Sequence, residues 1–171
     1  MLHRLQSMLS ALFVVMATAA LAGPATVDPI GTLRVADADG HTIALDAPGV
    51  LYLVDVWALE CKPCMQEMPE LDRLANEYES SGRFRLVSVV WGGWKGNELH
   101  SVAKQAKTTQ SVYSDVEHWI GRLGIDAYPT KLMIRDGKLL RRVIGGGAGA
   151  YDKWKRIIDD DLKTARASSE R

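Results

Sequence analysis

Two kinds of hydrophobic pattern alternate along the central part of this chain. Residues 51–57 and 84–90 are mostly apolar and rich in β-branched side chains, which predicts two buried strands. Between them, apolar side chains recur at helical spacing from Met65 to Tyr78, so this segment is predicted to be an amphipathic helix. A strand, a helix and a second strand in this order predict a parallel pair with a right-handed crossover.

Segments that alternate between apolar and polar side chains lie on both sides of this unit. They flank two Asp-Gly pairs, Asp39-Gly40 near the start of the chain and Asp136-Gly137 near its end. Asp-Gly pairs favour the tight turns that join antiparallel strands. We therefore predict one hairpin before the strand–helix–strand unit and one after it.

Three more helices are predicted from apolar spacing after residue 96. The first carries Leu99 and Val102, and the last covers residues 151–162. Between them, Ser114 and Glu117 have the spacing of a capping box, so a short helix is predicted to begin at Ser114. This order of elements predicts an α/β sheet covered by helices.

Residues 1–22 have the composition of an export signal. His3 and Arg4 are basic, residues 8–21 are nearly all apolar, and Ala20-Leu21-Ala22 offers small residues for cleavage. The apolar run is short for a membrane span, which needs about 20 residues. We predict a cleaved signal peptide over residues 1–22 and a periplasmic protein, with an uncleaved N-terminal membrane anchor as the alternative.

Length and charge narrow the class of protein. The chain of 171 residues can form one domain with a sizeable core, which we assign to residues 23–165, followed by a flexible tail over residues 166–171. Basic and acidic side chains are balanced, 21 of each. Nothing therefore indicates a nucleic-acid or anionic-membrane partner. We expect the protein to be a monomer.

The two cysteines stand where the first buried strand gives way to the helix, as Cys61-Lys62-Pro63-Cys64. A proline is tolerated in the first turn of a helix, so Cys61 is predicted to lie at the helix N-terminus, where the partial positive charge stabilises a thiolate. Cys64 lies on the same face, close enough to close a disulfide. Two cysteines at this spacing in an exported protein indicate redox exchange.

The cysteine pair allows two other interpretations. It could be an inert disulfide, or it could supply half of a zinc site. Zinc would need two more ligands, and the chain after the predicted leader offers only His41, His100 and His118, none at metal-binding spacing. We expect no metal.

Several motifs resemble those of the thioredoxin superfamily over residues 30–163. Asp55-Val56-Trp57-Ala58 before the Cys-x-Pro-Cys motif resembles the thioredoxin signature, and Tyr128-Pro129-Thr130 resembles the cis-proline segment of that family. The resemblance implies a thioredoxin fold, a central mixed sheet flanked by helices, here with an N-terminal β-hairpin extension.

The form C-x-P-C-x-x-E-x-P, which includes Glu67 and Pro69, looks most like the TlpA/ResA-like branch. Those proteins are exported thiol-disulfide oxidoreductases, often reductants in cytochrome c maturation. This chain departs from the pattern at Glu60, where the family commonly has Trp, Thr or Ser, and in the loop over residues 91–96.

The resemblance implies a role for each matching residue. Cys61 would be the nucleophile, Cys64 the resolving thiol, Asp55 the proton acceptor for Cys64, and Pro129 would align the partner. The contacts expected with substrate are made by Trp57, Lys62, Pro63, Tyr128 and Thr130. No cofactor is expected beyond the redox-active Cys61–Cys64 disulfide, and the expected partners are a disulfide-bonded protein and a membrane thiol electron donor.

Simpler interpretations stand beside these roles. Burial favours the protonated form of an unpaired carboxylate, but Asp55 could instead be paired with a lysine or with water near the end of the sheet. Pro129 could be an ordinary trans-proline opening an edge strand, and Trp57 or Tyr128 could be packed core. Trp91 and Trp94 could form a partner-binding surface or pack beneath their loop.

Three functions compete at this point. The first is a dithiol reductant of protein disulfides, and the second is a dithiol oxidase or isomerase that donates its disulfide to folding proteins. The third is a non-enzymatic metal- or partner-binding module. Peroxidase chemistry is disfavoured because the Cys-x-x-Cys pair has no separate peroxidatic cysteine beside it.

Overall fold

A computed structural model describes residues 30–169 of the protein. The predicted signal peptide over residues 1–22 lies outside the described residues. Among the described residues, no helix is both long enough and apolar enough to cross a membrane.

The domain is a seven-stranded mixed sheet flanked by helices, as the pattern predicted. The strands are β1 (Arg34–Ala36), β2 (Thr42–Ala44), β3 (Leu51–Trp57), β4 (Phe84–Val90), β5 (Val112–Asp115), β6 (Thr130–Arg135) and β7 (Lys138–Ile144). The helices are α1 (Lys62–Tyr78), α2 (Glu98–Ala106), α3 (Trp119–Arg122) and α4 (Ala150–Ser169), with a 3-10 turn at Glu79–Ser81.

The strand order across the sheet is β2-β1-β5-β4-β3-β6-β7. The central strand β3 runs parallel to β4 and antiparallel to β6, and both predicted hairpins, β1–β2 and β6–β7, are present. The parallel β3–β4 pair with α1 between its strands in the chain confirms the predicted strand–helix–strand unit.

Every residue of β3 is buried, because helices cover both faces of the sheet at this strand. Tyr52, Val54 and Val56 face a core cluster that includes residues of α3 and of the N-terminal hairpin. Leu51 and Leu53 face the other side, where they pack with residues of α1 and α4. The strand is therefore packed on both faces along its whole length, and the cysteine pair follows shortly after its end.

The short helix predicted to begin at Ser114 is wrong in its boundaries. Ser114 lies in β5, which pairs with β4 on one side and with β1 on the other, and α3 begins only at Trp119. Asp115 holds the start of α3, since its carboxylate accepts hydrogen bonds from the N–H groups of Trp119 at 3.1 Å and Ile120 at 3.0 Å. The hydrogen bonds that this segment makes as a strand between β1 and β4 stabilise it more than the local capping pattern would stabilise a helix.

The last helix is longer than predicted. α4 continues to Ser169, so the boundary placed at residue 165 lies inside this helix. Trp154 and Ile158 on α4 are buried against α1 and the sheet. The helix thereby covers the same face of the sheet as α1.

Candidate active site

Cys61 and Cys64 form a disulfide, with an S–S distance of 2.00 Å. Cys61 is the N-cap of α1, and its sulfur accepts a hydrogen bond from the Cys64 N–H at 3.2 Å. Cys64 is fully buried, whereas Cys61 is half-buried and the neighbouring Lys62 and Pro63 are exposed. An incoming sulfur therefore reaches Cys61 first, and Cys64 is accessible only through it.

Trp57 belongs to the core beneath the disulfide. It is 0% exposed, packs in one cluster with Cys64 and Met68, and donates a hydrogen bond from its indole N–H to Ser88 Oγ at 2.8 Å. The predicted substrate contact by Trp57 is therefore wrong, and its interpretation as packed core is correct. The sequence marks the end of a strand but not how far the covering helices extend over it.

The predicted substrate contact by Thr130 is also wrong. It is 0% exposed, and its hydroxyl donates a hydrogen bond to the Ala127 carbonyl at 2.7 Å. This bond ties the start of β6 to the loop before it. Thr130 therefore supports the loop from inside and does not face a partner.

The Tyr128–Pro129 peptide bond is cis. Pro129 is buried, and its carbonyl accepts a hydrogen bond from the Gly145 N–H at 2.8 Å. Tyr128 is half-buried and packs against the cluster that holds Cys64, as Cys61 does. The Tyr128 side chain thus borders the same buried cluster as the two cysteines.

The two tryptophans of the 91–96 loop have different surroundings. Trp94 is half-buried and packs against the cluster around Cys64, whereas Trp91 is 52% exposed and lies over Tyr128 with ring centroids 5.7 Å apart. A Cβ at Gly92 would lie 2.8 Å from Trp94 Nε1, so this turn of the loop requires glycine. We call the Trp91–Tyr128 pair the aromatic patch; the loop also borders an open groove of about 510 Å³.

Asp55 is paired with a lysine that nothing in the sequence pattern singled out. Lys131 lies directly opposite Asp55 in the β3–β6 register, and both side chains are buried, with exposures of 0% and 1%. Lys131 Nζ lies 3.1 Å from Asp55 Oδ1. The structure therefore agrees with the interpretation of Asp55 as paired with a lysine. Aligning the strand after Pro129 with the strand that contains Asp55 could have identified Lys131 from the sequence.

Lys131 also forms an ion pair with Glu67 of α1. Glu67 is fully buried, and its second carboxylate oxygen accepts a hydrogen bond from the Gly147 N–H at 3.2 Å. Burial lowers the pKa of Lys131, and the Asp55 carboxylate opposes this shift. Asp55, Lys131 and Glu67 form what we call the buried charge cluster.

The glycine-rich segment after β7 packs onto this cluster. A Cβ at Gly146 would overlap the Glu67 carboxylate and lie 2.8 Å from Pro129 Cγ. Glycine at this position therefore allows the backbone to approach both residues closely. Through Gly145, Gly146 and Gly147, the segment joins Pro129 to Glu67.

One group of possible metal ligands occurs among the described residues, in the turn between β1 and β2. Asp37, Asp39 and His41 place ligand atoms within 4.8 Å of one another. The turn is already organised by its own hydrogen bonds, since Asp37 Oδ1 accepts from the N–H groups of Asp39 and His41. Acidic turns of this kind are common without a metal, and we assign no ion to it.

Comparisons with known proteins agree with this geometry. No model of a known protein family matches the chain. The thiol-disulfide oxidoreductase ResA of Bacillus thuringiensis is 28% identical over 118 residues, which are 65% of this chain and 65% of that protein. The thioredoxin-like protein YneN of Bacillus subtilis is 24% identical over 98 residues, 57% of this chain and 58% of that one. The chain thus spans less than two thirds of the length of both relatives.

A solved structure extends the similarity to the fold. A protein assigned as the thiol:disulfide interchange protein DsbE of Chlorobium tepidum superposes with a TM-score of 0.67 and 23% identity, covering 80% of this chain and 96% of that one. At this level of identity the likeness concerns the fold, which is the thioredoxin fold. The sequence similarities agree with this fold, and they show that the chain is similar to thiol-disulfide oxidoreductases of the ResA type.

Proposed function

We propose that the protein is an exported thiol-disulfide oxidoreductase that reduces disulfides in other proteins. The observation that carries this proposal is the cysteine pair at the start of α1, with Cys61 accessible and Cys64 buried beneath it. An N-terminal helix end stabilises the Cys61 thiolate, which is the reactive form. The names of the relatives point to the same chemistry.

The reaction proceeds in two exchanges. The Cys61 thiolate attacks one sulfur of the partner disulfide, a mixed disulfide forms, and the other partner sulfur leaves as a thiolate. Cys64 then loses its proton, with Asp55 as the proposed acceptor, and attacks Cys61. The Cys61–Cys64 disulfide closes, and the second partner thiolate leaves, so the partner gains two electrons and the cysteine pair loses two.

The partner is proposed to be an extended polypeptide that lies across the exposed rim of the disulfide. Lys62 and Pro63 are exposed directly after Cys61, and Tyr128, next to Pro129, packs against the cluster that contains Cys64. An apocytochrome c is the substrate that the TlpA/ResA-like resemblance implies. A reductant outside the cytoplasm must be recharged, so the proposal includes a membrane thiol electron donor.

The reduction potential of the Cys61–Cys64 pair tests the direction of the reaction. We expect a value near or below about −250 mV, in the range of thioredoxin, when the protein is equilibrated in thiol buffers of known potential. A value near about −120 mV, as in strong periplasmic oxidants, would make the protein a disulfide donor instead. A pair that never equilibrates with the buffer would be a structural bridge.

The aromatic patch is proposed to contact the partner polypeptide. Replacing Trp91 with alanine removes a half-exposed indole beside Tyr128, and we expect the KM for a protein disulfide substrate to rise about 3- to 10-fold with kcat unchanged. The rate with a small aromatic disulfide should change less, because such a substrate offers the patch a much smaller contact area than a polypeptide does. Leu140→Ala, at an exposed apolar residue on β7, is the matched control. An unchanged KM with the protein substrate would remove Trp91 from the binding surface.

A further inference from the structure

The buried charge cluster combines three ionisable side chains that water does not reach. Burying a charge is costly unless it is paired, and Asp55, Lys131 and Glu67 satisfy one another only in part. Two carboxylates and one ammonium leave one uncompensated negative charge. One added proton makes the cluster neutral, so the cluster as a whole is suited to taking up a proton.

The first end of the cluster lies on the strand that leads to the cysteines. Asp55 precedes Trp57 by two residues on β3, so both side chains point to the same face, and Trp57 packs with Cys64. Asp55 Oδ1 is buried and, among the described residues, accepts no well-aligned hydrogen bond, although Lys131 is near it. An oxygen in this state retains the capacity to accept a proton.

The other end of the cluster lies close to solvent. Glu67, three residues after Cys64 on α1, borders an open cleft of about 400 Å³ together with residues 145–149 and Lys153. Its carboxylate is covered at this point by Gly146 and Gly147, which carry no side chains. A proton held at Glu67 can therefore reach solvent through this cleft over a short distance.

We propose that Lys131 positions Asp55 and Glu67 as one proton relay, through which the proton released by Cys64 at Asp55 leaves the protein at Glu67. The inference rests on the proposed thiol-disulfide exchange. The Cys64 thiol gives its proton to Asp55 and becomes the attacking thiolate. Protonated Asp55 passes a proton to Lys131 while Lys131 passes one to Glu67. Lys131 begins and ends as an ammonium, and the net change is one proton moved between carboxylates.

Dithionitrobenzoate, a symmetric aromatic disulfide, separates the two exchanges in one experiment. The reduced protein releases one coloured thiolate when Cys61 attacks and a second when Cys64 resolves the mixed disulfide. Stopped-flow traces across a range of pH therefore report the two cysteines separately. Only the second release depends on the relay, and it should become faster as pH rises and the cluster loses its proton.

Asp55→Asn and Glu67→Gln are close in shape to the native residues and test the relay directly. Asp55→Asn should slow the second release about 100-fold or more, because its proton acceptor is gone. Glu67→Gln removes one of the two negative charges of the cluster, so the pH midpoint of the second release should move down by about one unit. It also removes the outer proton acceptor, so the rate of the second release above that midpoint should fall. The double variant should be no slower than Asp55→Asn alone, since both residues act in one relay.

Lys131→Met tests the positioning role of Lys131, and it should shift the pH midpoint of the second release in the direction opposite to Glu67→Gln. Loss of the ammonium leaves the Asp55 and Glu67 carboxylates without the counter-charge that contacts both of them, so the midpoint should move up in pH. Lys153 on α4 adds a further positive charge that acts on Lys131, and it stays unchanged in every variant. Lys138→Met, at an exposed lysine of β7, is the control and should leave both releases unchanged. Opposite shifts from Glu67→Gln and Lys131→Met cannot arise from general loosening of the fold.

The outcomes separate failure of the relay from failure of the proposed function. If the wild-type protein gives no second release, thiol-disulfide exchange itself fails. If it gives both releases but Glu67→Gln leaves the second one unchanged in rate and in pH midpoint, the relay is overturned and the function stands. Slowing by Glu67→Gln that adds fully to that of Asp55→Asn would also overturn it, since the two residues would then act independently.

Discussion

Replacing Cys61 with serine should reduce the rate of insulin-disulfide reduction by about 10³-fold or more, to the uncatalysed rate. Cys61 is the accessible sulfur of the pair and stands at the N-terminus of α1, where a thiolate is stabilised. A serine hydroxyl at this position is not ionised and does not form a mixed disulfide. The measurement is the precipitation of insulin chains in the presence of a thiol reductant.

Replacing Cys64 with serine is the matched control, and its outcome should differ in kind. Cys61 still attacks the partner, but nothing resolves the product, so a mixed disulfide should accumulate and be visible by non-reducing electrophoresis. Cys64 is fully buried, and the serine is of similar size, so the fold should be preserved. Insulin reduction by Cys61→Ser at the wild-type rate would contradict the assignment of the nucleophile.

The part of the fold that was predicted correctly is the part determined by local pattern and by motif. The strand ending at Trp57, the cap at Cys61 and the helix running to Tyr78 follow one another within residues 51–78, and each carries its own signal. The hairpin around Asp136-Gly137 was found for the same reason, because its turn residues and its alternation agree.

The elements that were missed depend on contacts between distant parts of the chain. β5 is only four residues long, and it is a strand because β1 and β4 leave room for its hydrogen bonds on both sides. The local sequence around Ser114 carries no information about these two neighbouring strands. The same limit explains Trp57, whose burial depends on helices that pack over it from elsewhere in the sequence.

Lys131 shows the limit most clearly within the candidate site. A lysine directly before the apolar residues 132–134 is visible in the sequence, but its partners are 76 and 64 positions away, in β3 and α1. Only the register of β6 against β3, together with the way α1 lies on the sheet, brings the three charges together. The motif that contains Glu67 indicated a family branch and did not indicate an ion pair.

Replacing Lys131 with methionine should lower the free energy of unfolding of the oxidised protein by about 3–5 kcal/mol at neutral pH. Methionine keeps most of the side-chain volume, so the loss comes from leaving Asp55 and Glu67 buried with no counter-charge. This is a large part of the typical stability of a domain, about 5–15 kcal/mol. Urea unfolding followed by tryptophan fluorescence measures the change.

The pH dependence of this loss identifies its cause. If uncompensated carboxylates are responsible, protonation relieves them, so the loss should be clearly smaller near pH 5 than near pH 8, whereas loosened packing would be insensitive to pH. Adding Asp55→Asn and Glu67→Gln to Lys131→Met should restore much of the stability, because three neutral side chains then replace two buried carboxylates that have no counter-charge. Lys138→Met should change stability by less than about 0.5 kcal/mol. A Lys131→Met protein as stable as the wild type at pH 8 would mean that the two carboxylates do not need Lys131 as their counter-charge.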